Sequence, residues 1–111
     1  MNDIVTRTLN TVAANSYAKT HTPYQARNDA QQIRESVQRS SAAVSEFERL
    51  DKKWNNGYAS GETRAAIQQQ NNLQSQRSVL ATYLREQTRS LSTFPSQKEY
   101  ASETLKKLGG C

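Results

Sequence analysis

Two apolar stripes with the spacing of an α-helix, separated by a single turn signal, constrain the fold more than any other feature of this chain. Residues three or four positions apart share one face of a helix, so apolar residues at that spacing predict an amphipathic helix. The first stripe consists of Ala30, Ile33, Val37, Val44, Phe47 and Trp54, with the polar Ser40 and Asp51 in its gaps. The second stripe consists of Ala66, Leu73, Leu80, Leu84, Leu91 and Phe94.

The boundaries of the first helix are marked by residues that typically start and stop helices. Thr22 is a favourable N-cap, Pro23 suits the first helical position, and Gln25 completes a capping box. The stripe ends at Trp54-Asn55-Asn56-Gly57, where glycine and asparagine tolerate the left-handed conformation that closes a helix. The sequence therefore predicts a helix over about residues 23–55.

The second stripe has boundary signals of its own. Ser60 offers an N-cap hydroxyl, and Glu62 places a carboxylate near the positive end of the helix dipole. Pro95 is expected to end this helix, which would span about residues 61–94. A connection of a few residues between two helices of nearly equal length folds them back on each other. The predicted fold is all-α and is built on an antiparallel helical hairpin, as a coiled coil or a small bundle.

Short elements are predicted at both ends of the hairpin. Ser96-Gln97-Lys98-Glu99 forms a second capping box, and the apolar residues after it predict a short helix that stops at Gly109-Gly110. Residues 1–21 have apolar positions at helical spacing but no good N-cap, so a short helix and a flexible segment both fit. We therefore expect the hairpin over residues 22–95 and a C-terminal helix with a Gly-Gly-Cys tail over residues 96–111.

The amino-acid composition predicts a small hydrophobic core. Apolar residues make up 34% of the chain, whereas an average globular domain has about 45%. Such a chain can fold as a narrow hairpin, bury more surface against a partner, or stay partly disordered when alone. The apolar runs are only a few residues long, so no transmembrane segment is expected. A cleavable secretory signal is also not expected, because no basic head followed by an apolar run is present in the first twenty residues.

The residues that could carry chemistry are few. The chain has one histidine, His21, and one cysteine, Cys111, which leaves too few ligands for a Cys/His zinc site and no nucleophile–base–orienter set. The four glycines do not form a phosphate-binding loop. His21 is predicted to be a solvated loop side chain. We therefore predict no catalytic residues, no bound cofactor and no metal site, and a non-enzymatic role.

The stripes predict a protein that completes its core by association. Polar residues interrupt both stripes, so two helices packed only against each other would bury too little apolar surface. The expected function is that of a helical assembly or adaptor protein that binds itself or another helical protein, and subunits or chaperones of secretion and phage-type apparatus are one class with this build. Trp54 is assigned to core packing, with a role as a partner anchor as the alternative. The residues predicted to form the helix-packing or partner interface are Ile33, Val37, Val44, Phe47, Trp54, Leu73, Leu80, Leu84 and Leu91.

Nucleic-acid binding is the alternative function. The chain carries 15 basic and 10 acidic residues, a formal net charge of +5. Arg77, Arg85 and Arg89 lie at four-residue steps along the second helix, with Ala81 between the first two. Such a row could contact phosphates, although Glu86 adjoins it and no aromatic platform accompanies it. These three arginines are the candidate nucleic-acid contacts.

Overall fold

A computed structural model describes residues 2–90 and 93–109, with side chains from residue 4 onward. Four helices make up this part of the chain: α1 (Asn2–Ala18), α2 (Pro23–Trp54), α3 (Gly61–Arg89) and α4 (Pro95–Leu108). No strand occurs among the described residues. The predicted all-α fold class is confirmed.

Helix α2 begins and ends where its local signals indicate. The Thr22 hydroxyl accepts a hydrogen bond from the Gln25 backbone N–H (3.3 Å), and the Gln25 side-chain oxygen accepts one from the Thr22 N–H (2.8 Å). This reciprocal capping box satisfies two amides at the helix start. At the other end Asn56 (φ 52°) and Gly57 (φ 87°) take the left-handed conformation and turn the chain out of the helix.

Helix α3 begins as predicted but ends earlier than predicted. The Ser60 hydroxyl caps the start by accepting from the Thr63 N–H at 3.2 Å. The helix ends at Arg89, and Ser90 is extended (φ −69°, ψ 130°), so the predicted helical continuation to residue 94 is wrong. Proline disfavours the helical conformation at the residue before it, and Phe94 is accordingly extended and exposed rather than on the apolar stripe. The predicted interface residue Leu91 lies outside the described residues.

Helix α4 starts at Pro95, one residue before the predicted capping box. Phe94 is its N-cap residue, without a side-chain capping bond, and Pro95 occupies the first turn. The predicted capping box at Ser96 is therefore wrong, because the fixed φ of proline already suits the first helical position and places Ser96 inside the helix. At the other end Gly109 (φ 76°) is left-handed, and its N–H donates to the Leu105 and Lys106 carbonyls.

Helix α3 is the centre of the packing, since it contacts α1, α2 and α4, and α2 also contacts α4. Two hydrogen bonds link α3 to α2: the Thr63 hydroxyl donates to Asp51, and the Gln70 amide donates to the Ser41 hydroxyl. Small side chains dominate the core and let the helices approach closely. The core cluster consists of Ala14, Ala26, Ala30, Leu80, Ala81, Tyr83, Leu84, Ala101 and Leu108.

The predicted interface residues differ widely in burial. Those that are buried are Val44, Leu80 and Leu84, and those that are partly buried are Ile33, Val37, Phe47 and Leu73. Trp54, which the sequence assigned to core packing, is 72% exposed. Asp51 already pairs with Thr63 in the first turn of α3, so Trp54 lies beyond the level at which α3 could cover it. The assignment of Trp54 to the core was wrong.

Candidate interaction surface

Helix α1 has a packed face and an exposed face, and the larger aliphatic residues lie on the exposed one. Ala14, on the packed face, is only 2% exposed. Val5, Leu9 and Val12 are exposed by 59%, 63% and 59%, and Ile4 by 76%. We call these four residues the α1 aliphatic face. At 3.6 residues per turn, Val5, Leu9 and Val12 lie about 140° to 180° around the helix from Ala14.

Exposed aliphatic side chains are a source of binding free energy. Burying one valine, leucine or isoleucine fully contributes about 1.5–3 kcal/mol. Because the four residues of the α1 aliphatic face are each more than half exposed, covering them could contribute about 4–8 kcal/mol before the entropic cost of association. This gross contribution is comparable to the stability of a small domain. The face is therefore large enough to matter for association.

Two threonine hydroxyls on α1 are already satisfied within the helix. The Thr8 hydroxyl donates to the Ile4 carbonyl (2.9 Å), and the Thr11 hydroxyl donates to the Arg7 carbonyl (2.8 Å). Arg7 is the one charged residue of α1 whose side chain the structure describes. The α1 aliphatic face itself carries no charge, and the Thr8 and Thr11 hydroxyls beside it keep their hydrogen bonds when water is removed. Its chemistry favours an apolar helical partner over a charged one.

A tyrosine–histidine–aspartate cluster (Tyr17, His21, Asp29 and Tyr83) holds the C-terminal end of α1. The Tyr17 hydroxyl donates to Asp29 Oδ2 at 2.5 Å, and the His21 ring stacks on the Tyr17 ring with centroids 3.8 Å apart. The Tyr83 hydroxyl donates to the His21 carbonyl at 3.3 Å. Burial and the Asp29 carboxylate raise the pKa of Tyr17 far above its usual range. The cluster thereby links α1 to both α2 and α3.

This cluster was missed by the sequence analysis. His21 was predicted to be a solvated loop side chain, but it is partly buried, and its Nε2 lies 3.9 Å from Asp29 Oδ2. Only the spacing of Tyr17 and His21, four residues apart at the end of a helical segment, could have suggested that the two rings meet. Tyr83 is 62 positions from His21, so its contact depends on how α3 packs.

The connection between α2 and α3 is organised by a buried carboxylate. Asp51 Oδ2 accepts hydrogen bonds from the Thr63 hydroxyl (2.5 Å) and the Ser60 N–H (3.1 Å), and its Oδ1 accepts one from the Asn55 amide (3.1 Å). The Thr63 hydrogen bond is the main cause of a lowered pKa for Asp51, and burial opposes it. The sequence analysis placed Asp51 in the apolar stripe as a polar gap. The structure shows instead that it fixes the turn beside the exposed Trp54.

The three arginines of the predicted row do not form one solvent-exposed surface. Arg77 is partly buried, and its guanidinium donates to the Leu108 carbonyl (3.0 Å) and the Gly109 carbonyl (2.8 Å) at the end of α4. Ala81, the next member of the row, is a buried core residue. Arg85 is partly buried and donates to the Thr82 hydroxyl at 3.4 Å, whereas Arg89 is exposed. The first half of the row therefore supports α4.

Comparisons with known proteins do not assign the chain to a family. No protein-family model matches it, and neither characterised proteins nor solved structures show significant similarity to it. Within residues 2–90 and 93–109, no cluster of histidine, cysteine, aspartate and glutamate could hold a metal ion. No helix in that part of the chain combines the length and the apolar character needed to span a membrane.

Proposed function

We propose that this protein is a non-enzymatic helical assembly or adaptor protein that binds a helix of its partner through the α1 aliphatic face. The partner is another copy of the chain or another helical protein. One observation carries the proposal: Val5, Leu9 and Val12 are more than half exposed and lie on the opposite side of α1 from buried Ala14. Larger aliphatic residues usually lie on the packed side of a surface helix, and exposed apolar patches mark interaction sites.

The spacing of the exposed residues matches a known way in which helices bind. Positions 5, 9 and 12 correspond to i, i+4 and i+7, the anchor pattern of an amphipathic helix in an apolar groove. In the proposed complex these side chains pack into the spaces between side chains on the partner helix. The satisfied threonine hydroxyls beside them form the edge of the contact. A subunit or chaperone of a secretion or phage-type apparatus would use α1 in this way.

The remainder of the chain would serve as a support for α1. We propose that α2 and α3 form an antiparallel hairpin, a topology supported by the Asp51–Thr63 and Ser41–Gln70 hydrogen bonds, in which residue numbers rise along α2 as they fall along α3. The tyrosine–histidine–aspartate cluster would then fix α1 on this hairpin. A rigid support reduces the entropy lost on binding.

The proposal is tested by replacing two aliphatic side chains and measuring mass. The double variant Leu9→Gln/Val12→Gln replaces two of the four residues of the α1 aliphatic face, and Arg7→Gln is the control on the same helix. Molar mass by light scattering is measured over a hundredfold concentration range, with reducing agent present. We expect the parent and control proteins to gain mass with concentration and the double variant to remain monomeric.

The second arm of the test covers a partner other than the chain itself. A photo-crosslinking amino acid at position 9 is used in cells that produce the protein, with the same group at exposed position 52 as the control. A crosslinked product specific to position 9 and lost with Val12→Gln would support an adaptor role. A monomeric parent protein combined with no product specific to position 9 would contradict the proposal.

Nucleic-acid binding is not proposed from the arginine row. Arg77 already donates two hydrogen bonds to the last carbonyls of α4, and a phosphate contact would have to displace them. Freeing these carbonyls would leave the end of α4 with fewer satisfied groups. The arginine row therefore gives less support to this function than the sequence alone suggested.

A further inference from the structure

A cleft between α2 and the C-terminal half of α4 is separate from the α1 aliphatic face. Its volume is about 440 Å³, which is within the usual range for small-molecule sites. No residue of α1 lines it. The lining residues from α2 are Arg27, Ala30, Gln31, Arg34, Glu35 and Gln38, and those from α4 are Thr104, Lys107 and Leu108.

Positive charge dominates the walls of this cleft. Arg27 and Arg34 from α2 and Lys107 from α4 face one carboxylate, Glu35, within the lining. Glu35 accepts a hydrogen bond from the amide of Gln31 at 3.5 Å, one turn earlier on the same helix. The hydrogen bond to the Tyr100 hydroxyl is the main cause of a raised pKa for Arg27, and Glu103, outside the lining, adds to it. Basic side chains from two helices thus converge on one concave surface.

The basic groups of the cleft form no salt bridge in the part of the chain that the structure describes. No carboxylate oxygen lies within salt-bridge distance of Arg27, Arg34 or Lys107 there. Arg27 instead donates to the Tyr100 hydroxyl at 3.1 Å and lies over the Tyr100 ring, 5.4 Å from its centroid. These contacts hold one guanidinium at the wall of the cleft and leave its other donors available.

We propose that the cleft binds a small polyanion that carries at least two phosphate or carboxylate groups. A guanidinium presents paired donors that match the oxygens of either group, and Lys107 adds a point charge from the opposite wall. Arg27 and Arg34 are two helical turns apart, about 10 Å along α2, and their long side chains can reach neighbouring anionic groups of one ligand. The amides of Gln31 and Gln38 supply further donors.

The floor of the cleft and the end of α4 are compatible with such a ligand. Buried Ala30 and Leu108 offer an apolar floor against which the body of an organic ligand packs. The C-terminal end of a helix carries partial negative charge, which would repel an anion. Arg77 offsets this charge by donating to the Leu108 and Gly109 carbonyls. Polyanion binding here does not depend on the proposed assembly function.

Calorimetric titration with inorganic pyrophosphate and with citrate tests the proposal at fixed, low ionic strength. Arg34→Gln and Lys107→Gln each remove one charge from the cleft. Arg64→Gln removes one charge from an exposed site on α3, outside the cleft, and is the matched control. Loss of a charged hydrogen-bond donor should weaken binding about tenfold or more in each cleft variant and less than about twofold in the control.

The choice of probe distinguishes the possible sources of the anionic groups. Tighter binding of pyrophosphate than citrate would indicate a phosphate ligand, and the reverse order would indicate a polycarboxylate. The proposal is overturned if neither probe binds or if Arg64→Gln weakens binding as much as the cleft variants do. It is also overturned in favour of nucleic acid if an oligonucleotide duplex displaces pyrophosphate with an affinity that all three variants lower equally. Circular dichroism of each variant verifies that the helical fold is retained.

Discussion

The Thr63 hydroxyl donates a 2.5 Å hydrogen bond to Asp51 Oδ2, and this contact joins the last turn of α2 to the first turn of α3. Both residues are buried. A buried carboxylate is costly unless it is well hydrogen-bonded, and Asp51 also accepts from Ser60 and Asn55. One side chain therefore accepts hydrogen bonds from groups of the turn and of α3 and joins them to α2.

We expect Thr63→Val to destabilise the protein although it keeps the side-chain shape. The substitution removes a hydroxyl donor and leaves Asp51 Oδ2 with only the Ser60 N–H, so the free energy of unfolding should fall by about 1–3 kcal/mol. Urea denaturation followed by circular dichroism measures the change. Ser75→Ala, at an exposed position of the same helix, should change the stability little. Equal effects of the two substitutions would contradict the structural role of the Asp51–Thr63 contact.

Acid should weaken the fold through the same carboxylate. Since the pKa of Asp51 is lower in the folded protein than its ordinary value of 3.8, ionised Asp51 contributes stability that is fully present above that value. The contribution is lost as the pH falls below 3.8 and through the folded-state pKa. Denaturation at a series of pH values between 7 and 2 should show this loss. In Asp51→Asn the decline below pH 4 should be shallower, and an unchanged decline would contradict the assignment.

The limits of α2 were predictable because they depend on local contacts. The Thr22–Gln25 capping box and the left-handed Asn56-Gly57 pair involve residues that are neighbours in sequence. The end of α3 was not predictable in the same way. Phe94 continues the helical spacing of the second stripe, but the extended conformation before Pro95 overrides that pattern. Periodicity shows which residues can share a face, not where a helix stops.

Removal of one tyrosine hydroxyl should loosen α1 specifically. Tyr17→Phe deletes the hydrogen bond to Asp29 while it keeps the ring that stacks on His21, so the unfolding free energy should fall by about 0.5–1.5 kcal/mol. Hydrogen exchange of the α1 amides should accelerate more than that of α3 amides. Tyr24→Phe is the matched control, because Tyr24 is exposed and lies in another aromatic pair. Uniform acceleration across all helices would contradict a local role for Tyr17.

Alkaline titration gives an independent measurement on the same cluster. Burial raises the pKa of both Tyr17 and Tyr83, and Asp29 raises that of Tyr17 further, so their neutral forms stabilise the fold. This contribution is fully present below the ordinary tyrosine pKa of 10.0 and is lost as the pH rises above it. Tyrosinate absorbance of the folded protein should show a late ionisation step that Tyr17→Phe reduces. A titration curve in which Tyr17→Phe removes no late step would contradict the expectation.

The candidate interaction surface was only partly predictable. Residues 1–21 have apolar positions at helical spacing, but an apolar stripe does not specify whether the fold will cover it. In the structure the small Ala14 and the Tyr17 ring are on the face that meets α3, and the larger Leu9 and Val12 are not. The partners of Tyr17 are fixed by tertiary packing and could not be obtained from local pattern. The burial of Trp54 could not be predicted for the same reason. Trp54 continues the apolar stripe of α2, but it lies beyond the end of α3, the helix that would have to bury it.

Substitutions on the two faces should separate folding from association. Leu84 is fully buried in the core, so Leu84→Ala leaves a cavity and should lower the unfolding free energy of the monomer by about 2–5 kcal/mol. Val12 is 59% exposed, so Val12→Ala should change monomer stability by less than about 0.5 kcal/mol. If copies associate through α1, the melting temperature of the parent protein rises with concentration, and Val12→Ala reduces that rise. Thermal melting at two concentrations a hundredfold apart measures both effects.

Leu84→Ala should shift both melts downward together, whereas Val12→Ala should lower only the melt at high concentration. A loss of stability with Val12→Ala at the low concentration would show that Val12 packs within the monomer, and the α1 aliphatic face would then not be a binding surface.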